Sequence, residues 1–325
     1  MRYRCGEVEV AVTRCLEAGS LLETYTFTNV GRSDVTLSEA GIYTPFNDHY
    51  PDAQSCMTSR VNAHIWPGGH AAYVQAVPMS GRGLSLGMMV TGGAVVHYQI
   101  SGRSLAWSAS NMRGVISLIL PDMHLKPGES AGISWRLFAY DKPQAFFRKL
   151  EANGGVWVEA EKYVLEKGGD TARVTLHSRE SLEKLSARKN GVPVPVRRTA
   201  EGWMVESPME ELGEACFEFL YDGGKRTRAN CLTVSSAREL LAKRVNFIID
   251  RQQMTRRDDP RYGAYLVYDN ETDELFLNDR PTVSPADRDE GGERLGMGVL
   301  KSIWTKPVGS CRSSKPLPRF SRTTT

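Results

Sequence analysis

The segment from Thr44 to His70 carries the chain's densest set of polar and aromatic side chains. It runs Thr44-Pro45-Phe46-Asn47-Asp48-His49-Tyr50-Pro51-Asp52 and continues through Arg60, Asn62, His64, Trp66, Gly68, Gly69 and His70. Three of the six histidines fall within its last 22 residues. This set suits a saccharide. Tyr50 and Trp66 offer flat apolar faces to sugar C–H groups. Asn47, Asp48, Arg60, Asn62 and His70 offer hydrogen bonds to hydroxyls or to a uronate carboxylate. His49 or His64 is the residue type that moves a proton near neutral pH. A metal site built from Asp48, His49, Asp52, His64 and His70 is the competing chemistry. Its spacing matches no recognised ligand pattern, so neither a metal nor a cofactor is expected. The structural alternative is a long ordered loop whose polar groups satisfy one another and cap a sheet.

A second cluster, Asp287-Arg288-Asp289-Glu290-Gly291-Gly292-Glu293-Arg294, precedes a Gly-rich helical pattern. Glycoside hydrolysis needs paired carboxylates, and Asp289 and Glu293 are the candidates here. Acidic residues at a helix start also simply complement its dipole. Gly291-Gly292 lacks phosphate-loop spacing. Asp269-x-Glu271-x-Asp273 partly matches a calcium loop but has no glycine at the sixth position, and reads as a turn.

The elements that must position these residues are mostly strands. Stretches 7–13, 21–28, 35–43, 72–77, 84–90, 94–100, 115–120 and 130–139 read as antiparallel strands, punctuated by Gly, Pro, Ser and Asn. Eight strands predict a large β-sandwich over 1–150, because one open sheet would leave a face uncovered. A short helix follows at 142–150, with Ala145, Phe146 and Leu150 on its apolar side. Asn153-Gly154-Gly155 marks a boundary. Seven short strands between 156 and 234, with turns at Asn190-Gly191 and Asp222-Gly223-Gly224, predict a small Ig-like sandwich. The tryptophans at 107, 135, 157 and 203 lie in strand patterns and read as core.

Ser235 or Ser236 caps a helix over 237–253. A second helix is expected over 288–304, so 236–304 reads as the start of a helical domain. Residues 305–325 carry five basic and no acidic residues and three prolines, and are expected to be disordered. Two helices cannot bury their own apolar faces, which points to a C-terminus truncated or shifted in frame.

Composition excludes several classes. The 325 residues are 41% hydrophobic and 24% charged, which rules out wholesale disorder. Lysine and arginine number 41 against 38 acidic residues, too even a balance for electrostatic binding of nucleic acid. No apolar run reaches membrane-spanning length, and no secretory signal is visible at the start. The six cysteines form no C-x-x-C pair, so free thiols in a reducing cytoplasm are expected, with no inter-sheet disulfide at Cys216 or Cys231.

The motifs TPFNDHYPDA (44–53), NAHIWPGGHAAYV (62–74), YGAYLVYDNET (262–272) and DRDEGGERLGMGVL (287–300) resemble bacterial proteins of the six-hairpin glycosidase type. In these a β-sandwich precedes an (α/α)6 toroid, a layout shared with toroid-fold polysaccharide lyases. The resemblance covers residues 1 to about 304 and implies a cleft set largely in the toroid, with a sandwich loop reaching over it. It implies the N-terminal part of a glycoside hydrolase or lyase acting on an oligosaccharide, inactive without the rest of the toroid. Arg60 would pair with a carboxylate, His49 or His64 would move a proton, and Asp289 or Glu293 would act as acid or nucleophile. A non-catalytic carbohydrate-binding module built from the two sandwiches is the alternative.

Overall fold

A computed structural model of the chain describes residues 1–47, 52–101, 115–269 and 273–275. The chain is mainly β, with several antiparallel sheets and few helices. It divides into two compact units, the first ending at Val234 and the second beginning at Ser235.

The first unit opens with β1 (Arg2–Cys5), β2 (Val8–Glu17) and β3 (Ser20–Asn29). Ala18 and Gly19, at φ 49° and 76°, close the β2–β3 hairpin as a two-residue turn whose twist matches the strands. Helix α1 (Ala53–Ser59) follows β4 (Val35–Leu37) and β5 (Gly41–Asn47). Next come β6 (Val61–Trp66), β7 (Tyr73–Pro78), β8 (Ser85–Gly92), β9 (His97–Ser101), β10 (Val115–Ile119), β11 (Met123–Leu125) and β12 (Ser130–Tyr140).

A seven-stranded sheet runs in the order β1-β2-β3-β12-β8-β7-β6, and smaller sheets β5-β10-β9 and β11-β4 complete the sandwich. Alternation drives the assembly. Val8, Val10 and Val12 of β2 point inward with Phe27, Val74, Met88, Ile133 and Trp135, and pack with Ile42, Phe46, Leu118 and Leu125 of the smaller sheets. On the other face of the large sheet lies helix α2 (Pro143–Ala152), which begins with the proline that a first helical turn tolerates. Its Phe146 and Leu150 are fully buried against Tyr73, Met89, Phe138 and Tyr140.

The second sandwich pairs two sheets of four and five strands. One holds β13 (Val156–Ala160), β15 (Thr171–Ser178), β19 (Trp203–Pro208) and β18 (Arg197–Arg198). The other holds β14 (Val164–Glu166), β21 (Lys225–Val234), β20 (Gly213–Tyr221), β16 (Ser186–Lys189) and β17 (Val192–Val194). β14 joins β21 in parallel; the other pairings are antiparallel. Val158, Leu165, Val174, Leu176, Val205, Phe217 and Phe219 form the core. Cys216 and Cys231 lie on opposite faces of adjacent strands, and both are free.

In the second unit, Ser236 caps helix α3 (Ala237–Phe247) by accepting from the Glu239 N–H at 3.2 Å. A short π-helix (Ile248–Gln252) follows, then a hairpin of β22 (Tyr268–Asp269) and β23 (Glu274–Leu275). No described helix is long and apolar enough to cross a membrane.

Four expectations need correction. The stretch after Thr44 is not one long loop, because it contains α1 and the whole of β6. Strand 35–43 is broken at Glu39, whose φ is 54°. The expected strands 156–164 and 192–197 are each two. Trp157 and Trp203 are only partly buried, packed against their cores rather than within them, whereas Trp135 is buried. Trp107, the helix expected over 288–304 and the tail lie outside the described residues.

Candidate functional site

Asp52 starts the local order. Its Oδ1 accepts from the Ser55 N–H at 2.8 Å and its Oδ2 from the Ser55 hydroxyl at 2.9 Å, which nucleates α1. The Ser55 backbone hydrogen bond holds the Asp52 carboxyl below its ordinary range. Asp52 is thus a helix cap. Arg60 ends α1 with its N–H on the Cys56 carbonyl, and its own carbonyl accepts from Met79 N at 2.9 Å. The chain is thereby launched into β6 beside β7.

β6 is an edge strand of the seven-stranded sheet, and β9 an edge strand of β5-β10-β9. A groove of 590 Å³ opens beside them, lined by Arg60, Asn62, His64, Tyr98, Ile100 and Met79 among others. Alternation sends Val61, Ala63 and Ile65 toward the core, while Asn62 and His64 stand opposite Val77 and Gln75 on the outer face. The Asn62 and His64 side chains are exposed and have no hydrogen-bond partner among the described residues. The Arg60 guanidinium lies 3.1 Å from the Ser59 hydroxyl. The groove therefore combines an aromatic and aliphatic wall with one cation, one amide and one imidazole.

The expected set does not gather at one place. Trp66 and His70 sit instead at the seam of the two sandwiches. Trp66 stacks on Tyr73 at 6.2 Å and meets Tyr163 edge-on at 6.3 Å. The His70 N–H donates to the Arg226 carbonyl at 3.0 Å, and the Arg226 N–H donates to His70 Nδ1 at 3.2 Å. That pair clamps the loop after β6 onto β21. Burial pushes the His70 imidazole below its ordinary range, and the neutral ring is the form that accepts at Nδ1. Asn47 ends β5, opposite Val115. Its side chain, and Asp48, His49, Tyr50, Asp289 and Glu293, lie outside the described residues.

Three residues escaped the sequence reading. Tyr98 lines the groove from β9. Tyr163 stands at the seam. His177 is buried, with Nε2 3.0 Å from Glu159, Nδ1 3.0 Å from the Glu201 carbonyl, and its ring stacked on Trp157 at 3.9 Å. Alternation with Val174 and Leu176 puts His177 on the face turned away from that core, opposite Trp157 in register, and nothing in the sequence announces its burial or its partners. Among the described residues, no group of three or more His, Cys, Asp and Glu is placed to hold a metal ion.

No family model matches the chain, and no curated protein matches it. A solved polysaccharide lyase is 48% identical and superposes with a TM-score of 0.84, the alignment covering 94% of this chain and 46% of the lyase. The chain thus spans about half the length of that lyase. A gamma-CGTase from alkalophilic Bacillus clarkii aligns at 12% identity, over 72% of this chain and 25% of its own, with a TM-score of 0.20. A Bacteroides ovatus mixed-linkage glucan utilization protein, SGBP-B, aligns at 7% identity, over 68% of this chain and 54% of its own, with a TM-score of 0.17. Scores that low carry no structural argument.

Proposed function

We propose that this chain is the β-sandwich portion of a polysaccharide lyase, and that the groove beside β6 holds part of a uronate-containing saccharide. The supporting observation is the likeness to a solved polysaccharide lyase, at 48% identity across nearly all of the chain. In this reading the unit that begins at Ser235 is where the helical domain of the six-hairpin layout starts.

Elimination from a uronate removes the proton on the carbon next to the carboxylate and breaks the bond to the leaving oxygen. A carbon–carbon double bond remains, and no water is consumed. The chemistry needs a positive partner on the carboxylate, which acidifies that proton, and a base to take it. Arg60 is the groove's partner for a carboxylate, Asn62 its contact for a hydroxyl, and His64 its base. Elimination needs no nucleophile, but the departing oxygen must gain a proton, which the protonated His64 imidazole or solvent returns to it, so Asp289 and Glu293 become subordinate to this route. The whole chemistry belongs to the longer protein if groups beyond this chain complete it, and the chain alone is then a saccharide-binding module. The 46% share of the solved lyase favours keeping that second reading.

The deciding experiment incubates the chain with a panel of uronate-containing and neutral polysaccharides. It follows the ultraviolet absorbance of unsaturated uronate and, separately, binding by calorimetry. Turnover lost in both His64→Ala and Arg60→Ala supports the lyase reading. Saccharide binding without turnover supports the module. A folded chain that neither binds nor turns over any member refutes both.

A further inference from the structure

We propose a second saccharide site at the seam of the two sandwiches, in which Tyr163 is the stacking platform and Arg228 and Asn230 are the polar contacts for an acidic oligosaccharide. The inference takes only its ligand class from the saccharide reading; the site itself stands on separate residues.

A hollow of 210 Å³ is bounded there by Trp66, Pro67, Gly68, Tyr163, Arg228 and Asn230. Each part is held from beneath. On β21 the small residue Ala229 enters the core, which leaves Arg228 and Asn230 on the outward face at consecutive outward positions. β14 lies parallel to β21 with Val164 opposite Leu232, and the Leu232 N–H donates to the Tyr163 carbonyl at 2.8 Å. That register sets the Tyr163 ring beside the outward row of β21. Tyr163 is 41% exposed, yet its ring is fixed: the hydroxyl accepts from the Ala160 N–H at 3.1 Å, and Trp66 meets the ring edge-on. An exposed aromatic ring held in one orientation at a concave place is what a pyranose C–H face stacks on, with little loss of side-chain freedom on binding.

The polar side of the hollow is also available. The Asn230 amide has no partner among the described residues. Arg228 spends one donor on the Val96 carbonyl at 3.3 Å, which anchors the guanidinium, and its remaining donors have no partner among the described residues. The carboxylates nearby are engaged elsewhere. Glu218, opposite Arg228 in register, pairs with Arg226 at 3.9 Å. Glu159 is taken up by His177 Nε2 at 3.0 Å. A fixed cation beside a fixed ring selects a sugar carrying a carboxylate over a neutral one.

The test titrates the whole chain with an oligogalacturonate, an oligoalginate and a cello-oligosaccharide of matched length, following binding by calorimetry and intrinsic fluorescence. Tyr163→Ala and Arg228→Ala both change exposed side chains, and a circular dichroism spectrum checks their fold. The expected result is binding of an acidic oligosaccharide that weakens about tenfold in Tyr163→Ala. Arg228→Ala should remove the preference for acid over neutral sugar. Tyr163→Phe should retain binding, and Arg60→Ala should leave the seam component intact. Acidic-sugar binding that survives Tyr163→Ala and Arg228→Ala but disappears in Arg60→Ala overturns the seam site and leaves the groove standing. A folded chain that binds no member overturns the saccharide reading and the seam site with it.

Discussion

Replacing Gly69 by alanine should loosen the joint between the two sandwiches, and the size of the loss follows from three contributions. Gly69 has φ 65°, a left-handed conformation that costs an L-residue about 1–2 kcal/mol. An added Cβ would lie 2.6 Å from the Arg226 carbonyl oxygen, a backbone atom that cannot swing aside as a side chain does. Relief requires the loop to lift from β21. Lifting strains the His70 N–H to Arg226 carbonyl bond and the Arg226 N–H to His70 Nδ1 bond. Each is worth about 1 kcal/mol net. The sum is about 3–4 kcal/mol, or a fall in Tm of about 6–16 °C for a unit of this size. Gly191→Ala is the control, because Gly191 has φ 81° but nothing within 4 Å of an added Cβ. It should lose only the conformational part, about 1–2 kcal/mol. Urea denaturation followed by circular dichroism gives both values. Equal losses in the two variants would refute the argument, since the Arg226 carbonyl would then contribute nothing.

The same clamp makes stability depend on pH. Burial lowers the His70 pKa, so its contribution is complete above the unfolded value of about 6.5 and fades as pH falls through the depressed folded value. Urea midpoints between pH 8 and pH 5 should fall more in the wild type than in His70→Asn. Phe146→Ala should cost about 3–5 kcal/mol, because that ring is fully buried among Tyr73, Phe138 and Tyr140; calorimetric unfolding checks it. In the second unit, Arg261 holds the Asp259 carboxyl well below its usual range. That stabilisation is present above the ordinary carboxylate value and lost as pH falls through the lowered one, so Asp259→Asn should flatten the acid limb of an unfolding-versus-pH curve. With the groove and the seam both occupied, affinity for acidic oligosaccharides should rise with chain length until one molecule reaches both; a flat length series by calorimetry would argue against joint occupancy.

Local signals were readable where chemistry leaves few options. Asn190-Gly191 marked a tight hairpin, and its residues take φ 50° and 81° as such a turn demands. Valine alternation placed β2, and the apolar spacing of Ala145, Phe146 and Leu150 placed α2. Failure was concentrated between Asp52 and Trp66. There the helix is short and polar and rests on a side-chain cap, while the following edge strand shows Asn62 and His64 to solvent. Both resemble loop in composition. β1, with the sequence RYRC, was hidden the same way, because every one of its residues is exposed. Arg60, Asn62 and His64 share a groove because they occupy one short stretch, which spacing can reveal. Tyr163 and Arg228 are 65 residues apart, and only the parallel pairing of β14 with β21 brings them together. No sequence period announces one parallel pair where the other described pairings are antiparallel.

The two proposed sites are linked through β6. Period-two geometry puts Asn62, His64 and Trp66 on the same outward face, spanning about 13 Å from first to last. Asn62 and His64 then belong to the groove, and Trp66 to the wall of the seam hollow. β6 pairs only with β7 among the described strands, so its free edge also offers unpaired backbone N–H and C=O groups. Exposed edges are ordinarily an aggregation risk, and proteins blunt them with short length and polar side chains. β6 has both devices, and the same polar side chains are those a saccharide hydroxyl or carboxylate would meet. The His70–Arg226 clamp fixes where β6 ends relative to β21, which sets the distance from His64 to Tyr163. Loosening that clamp should therefore disturb binding of a long oligosaccharide more than of a short one, because only the long ligand depends on the spacing between the sites.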